Sequence, residues 1–183
     1  MQDMKSIDPE PLRAAVRRFQ RGFRTAFLVT LGIAAAMIVA LLTRPAWIGG
    51  VLSEATGYPL MSPRLWQSTA LVVIGLVTLG TYAVVFQTAT GVCRMLVQGE
   101  LGKAAGAVRR LSNWLWVLLG LSVLANTLSV LVATAHAGPG QRALSIAIGS
   151  PQVAFAIAAL IAMFLARVFV MGAALWNDHN EIV

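Results

Sequence analysis

Charge is scarce in this chain. Only 11% of its 183 residues are Asp, Glu, Lys or Arg, and 58% are hydrophobic. A soluble domain carries about 25% charged residues, so too little polar surface is present to cover an ordinary soluble fold. Acid is scarcer still, with seven Asp and Glu against 14 Lys and Arg. None of the seven lies inside a long apolar run, which argues against a proton relay built on intramembrane carboxylates. The single cysteine, Cys93, excludes an intramolecular disulfide. It reads as a packing residue, with S-acylation as the alternative. The two histidines, His136 and His179, fall in segments expected on opposite sides of a membrane and share no metal. "GELGKAAG" lacks the spacing of a phosphate-cradling loop. These gaps lead to the expectation of a protein without catalytic residues, metal or cofactor.

What is abundant is apolar sequence in long blocks, at 26–43, 68–92, 114–136 and 151–175. About 20 residues at a rise of ~1.5 Å cross a ~30 Å hydrocarbon core. The expected fold is therefore an all-α integral membrane domain of four transmembrane helices in two hairpins. Charge sets its orientation. Lys5, Arg13, Arg17, Arg18, Arg21 and Arg24 precede the first block; Arg94, Lys103, Arg109 and Arg110 lie between the second and third; Arg167 lies near the end of the fourth. Arg44, Arg64 and Arg142 fall on the other side. The positive-inside rule then places both termini in the cytoplasm. Trp47, Trp66, Trp114, Trp116 and Trp176 lie near block ends, where indoles prefer the headgroup level. The first block reads as a retained helix, since no small-residue cleavage pattern precedes "TRPAW". The stretch "TRPAWIGGVLSEATGYPLMSPR" reads as a turn-like outer connection.

Residues 1–25 predict a basic amphipathic helix preceding the first span. Asp8 is its expected N-cap, with Pro9 in the first turn. Leu12, Val16, Phe19 and Phe23 share a narrow arc at 100° per residue, opposite Arg13, Arg17, Arg18, Arg21 and Arg24. Such a helix suits an interface of anionic headgroups, or it docks an acidic cytoplasmic partner. Direct binding of nucleic acid is not expected, because the same face competes for anionic lipid. "AAVRRF" at 14–19 and "GAVRRL" at 106–111 hint at a parallel repeat of two hairpins, although basic residues at such helix starts are expected anyway.

Arg167 follows a long apolar stretch, and two readings apply to it. It snorkels to the headgroups, or it is held between helices by Gln87, Thr88, Thr90 or Ser122 at similar depth. Asn126 is expected to hydrogen-bond a neighbouring helix. Ala154, Ala158, Ala162 and Ala166 repeat every four positions, as do Gly32, Ala36 and Ala40. Small faces allow close approach, which suggests contact between the first and fourth spans.

Two stretches resemble a known family. "CRMLVQGELGKAAGAVRRLSNWLWVLLGLSVL" and "PGQRALSIAIGSPQVAFAIAALIAMFLARVFVMGAALWNDHNEIV" are similar to segments of bacterial DUF2975 (YoaS-like) membrane proteins, a family without an assigned activity. The resemblance covers roughly the C-terminal half. It implies a multi-pass protein of the bacterial inner membrane, often encoded beside a small helix-turn-helix regulator. The function expected is then regulation or scaffolding through a cytoplasmic partner of that kind. The docking surface would be the N-terminal basic helix, the loop from Arg94 to Arg110 and the tail from Trp176 to Val183, with Arg109 and Arg110, like the N-terminal arginines, meeting either a partner or lipid headgroups. The alternative is a small transporter or channel subunit with a polar path near Asn126, Gln87 and Arg167. A homo-oligomer fits the modest interior that four thin helices can bury.

Overall fold

The structure is a computed structural model describing residues 9–58, 60, 63–98, 100–135, 146 and 149–181. Side chains are described for 14–172 of those segments, Leu101 excepted, and for Ala174. Among these residues the fold is wholly helical: α1 (Pro9–Thr43), α2 (Pro45–Glu54), α3 (Leu65–Val97), α4 (Leu101–Thr134) and α5 (Ser150–Glu181). Four of the five, all but α2, are long and apolar enough to cross a membrane. Their outward faces carry Leu28, Val39, Leu42, Ile157 and Phe164, all exposed. In water such a surface would aggregate; in lipid it is the solvated face.

Helix ends follow local chemistry. Pro45 ends α1 and starts α2, because the residue before a proline is pushed out of the helical region. Arg44 accordingly has φ −144° and ψ 67°, and Pro45 occupies the first turn of α2, where its missing N–H costs nothing. Gly57 (φ +78°) makes the left-handed turn after α2. Gln67 caps α3 by accepting the Arg64 N–H at 3.0 Å. Gln152 similarly accepts the Gly149 N–H at 2.9 Å, ahead of α5.

The long helices form an open row of two hairpins. α1 packs on α3, α3 on α4, and α4 on α5. Val92, Val108, Ala162 and Ala166 form one buried cluster, which places the C-terminal parts of α3 and α5 at the same end as the start of α4. This is the basic end of the bundle.

The contact expected between the first and fourth spans is absent among the described residues. On α5 the face in the core is Ala159, Ala162 and Ala166, all buried, while Ala154 and Ala158 are exposed. A strict four-residue ladder rotates off a 3.6-residue face, whereas alternating steps of three and four stay on it. The partner of that face is α4, with Val108 in the same buried cluster as Ala162 and Ala166. Gly32 and Ala36 of α1 are exposed instead.

The outer connection is also more ordered than the sequence suggested, since it contains α2. This helix packs on α3 with Ile48, Gly49 and Ser53 buried. Gly49 is required there, because a Cβ would collide with the Ser68 hydroxyl and come within 3.0 Å of the Pro63 ring.

Candidate functional site

Grooves lie between the helices among the described residues, several of them toward the basic end. The first follows from the length of α1. At ~1.5 Å per residue, its 35 residues make a rod of about 52 Å, against a ~30 Å hydrocarbon core. No separate helix forms from the basic segment: from Pro9 onward it continues unbroken into the first span. Arg17, Arg18, Arg21 and Arg24 are exposed along it. Phe19, on the apolar arc, is 66% exposed. A groove of about 810 Å³ runs along Ala14, Phe19, Gly22 and Ala26, with Phe86 of α3 as its far wall. The Asp8 cap and the Arg13 side chain lie outside the described residues.

The second groove, of about 520 Å³, lies between α1 and α3 and places Gln20 and Arg24 beside Gln87, Thr90 and Arg94. The third, of about 680 Å³, lies between α4 and α5. Arg109, Asn113 and Trp116 line one wall and Arg167 the other. Each hairpin thus carries two arginines in a groove at its basic end, one from each long helix.

Arg167 is exposed in the groove between α4 and α5 and does not lie beside Gln87, Thr88, Thr90 or Ser122. Ser112 Oγ of α4 donates to the Ala159 carbonyl of α5 at 2.9 Å. Ser112 stands about 33 Å from the Thr134 end of α4, but Ala159 only about 14 Å from the Ser150 end of α5. The start of α5 is thus displaced by about 20 Å toward the basic end. That offset carries Arg167 into the groove with Arg109 and away from its expected partners. Those partners are satisfied within their own helices: Thr88 donates to the Val84 carbonyl at 2.8 Å, Thr90 to Phe86 at 2.8 Å and Ser122 to Leu119 at 2.9 Å. Back-bonding of this kind is how a hydroxyl settles in a membrane helix. Gln87 is exposed beside Arg24 and Arg94.

Asn126 lies in the fourth groove, of about 400 Å³, with Thr78, Ser129 and Met37 toward the opposite end. Gln87, Asn126 and Arg167 therefore line three different grooves. Cys93 is buried, as the packing reading requires and S-acylation does not.

The opposite end holds a polar cluster that sequence reasoning missed. Gln67 is 1% exposed and joins two helices, its amide donating to the Val132 carbonyl of α4 at 3.1 Å. Ser53 Oγ accepts the Leu60 N–H at 2.9 Å and donates to the Gly50 carbonyl at 2.8 Å. Pro45 after Arg44 was the one signal for α2; nothing in the sequence marked Gln67 as buried.

No family model, curated protein or solved structure matches the chain.

Proposed function

We propose that this is a multi-pass protein of the bacterial inner membrane that holds a cytoplasmic protein at the membrane surface, acting as a regulator or scaffold. The basic end faces the cytoplasm in this reading, with both termini there, by the positive-inside rule. The observation that carries it is the unbroken α1: exposed arginines and an exposed Phe19 sit on a helix continuous with the span. A helix anchored in this way projects from the membrane and is not free to lie flat on it. Cations flanking an apolar groove complement an acidic amphipathic surface. The DUF2975 resemblance suggests a small helix-turn-helix regulator as that partner.

The test is crosslinking in native cells, followed by purification of the full chain. Wild type is expected to carry along a soluble acidic protein that is lost when Arg17, Arg18 and Arg21 are changed to Glu. Equal recovery from both chains would refute the docking role. The orientation is tested separately with cysteine variants: Glu54→Cys should react with an impermeant reagent from outside the cell and Lys103→Cys only after permeabilisation.

A further inference from the structure

The groove between α4 and α5 holds chemistry that partner docking does not use. Arg109 and Arg167 line it from opposite walls, and both are exposed. Neither meets a carboxylate among the described residues, where the ion pair present is Lys103 with Glu100 at 2.9 Å. Each Cβ leans toward the N-terminus of its own helix. Because the helices are antiparallel, Arg109 leans toward the basic end and Arg167 back toward the membrane, so the two side chains converge. The hydrogen bond from Ser112 to Ala159 fixes that register. Further along the same groove, about 10 Å from Arg109 by helix rise, stands Trp116, while Met163 lines the facing helix at about the level of Arg109. The groove is thus amphipathic along its length, with two cations at one end, the Asn113 amide between, and an indole at the other.

We infer that this groove binds the phosphate of an anionic phospholipid of the inner leaflet. The two guanidinium forks take the non-bridging phosphate oxygens. Asn113 reaches the headgroup or glycerol oxygens, and an acyl chain runs past Trp116 into the bilayer. Free phosphate would fill only the charged end, whereas a lipid uses the whole groove. A zwitterionic lipid would bring an ammonium group for which the described groove lining offers no carboxylate. Basic pockets between membrane helices on the cytoplasmic side suit such headgroups in general.

The test is native mass spectrometry of the full chain in detergent with phosphatidylglycerol or phosphatidylcholine added. Phosphatidylglycerol should be retained preferentially. Arg109→Gln with Arg167→Gln should weaken its binding about thirtyfold and either change alone about fivefold. Arg110→Gln, next in sequence but outside the groove, should leave binding unchanged, and an excess of soluble glycerol phosphate should not displace the lipid. Both groove arginines are exposed, so the variants should keep the wild-type melting temperature. Undiminished lipid binding in the double variant, or an equal loss in Arg110→Gln, would overturn the site. Displacement by glycerol phosphate would overturn its assignment to lipid.

Discussion

The hydroxyl of Ser112 and the carbonyl of Ala159 meet at 2.9 Å across α4 and α5, and Ala159 is fully buried at that contact. This pairing sets the offset of the last helix and hence the position of Arg167. Ser112→Ala should lower stability by about 1 kcal/mol, the usual scale for a hydrogen bond between membrane helices. Ala159→Leu should cost about 1–3 kcal/mol by overpacking. Unfolding of the purified protein measures both. A leucine variant as stable as wild type would show that the helices do not meet there.

The four spans were legible because length and apolarity are all that a bilayer demands of a helix. The partners of the polar side chains were not. Similar depth does not make neighbours: the backbone of α5 comes close to α4 and not to α3 among the described residues. The hydroxyls of Thr88 and Ser122 looked like candidate ligands for Arg167, yet neither lines the groove that holds it, and each donates to a carbonyl of its own helix. The alanine ladder on α5 was read as one face although 3.6 residues per turn carries Ala154 and Ala158 off it. In the N-terminal segment the arginines stood out, but where an amphipathic helix stops and a span begins is decided by continuity of the backbone, which periodicity does not show.

At the opposite end, Gln67 bridges the start of α3 to the Val132 carbonyl while capping Arg64. Gln67→Ala removes both bonds and should destabilise by about 1–3 kcal/mol, since buried backbone groups lose their partners. Thermal unfolding checks this. An unchanged melting temperature would mean that the bridge does not form.

Gly49→Val should free α2 from α3, because its side chain would enter space held by Ser68 and Pro63. A cysteine placed at Ser53, buried in the native packing, should then react with a thiol reagent much faster than in the Gly49 protein. Equal rates would contradict the packing of α2.

An unbroken α1 fixes a distance. Spin labels at Ala15 and Ala35, both exposed, should be about 30 Å apart along a straight helix. A helix folded flat onto the membrane near Thr25 would bring them to about 21 Å by the same rise, and that result would return the segment to an interfacial role.

The most direct test of the docking account replaces Phe19, 66% exposed beside the arginines, with a photo-crosslinking amino acid in native cells. The same replacement at Phe164, equally exposed on the apolar part of α5, reports the lipid. The account predicts a protein adduct from position 19 that disappears when Arg17 and Arg21 are changed to Glu, and lipid adducts alone from position 164. Lipid adducts alone from both positions would contradict it.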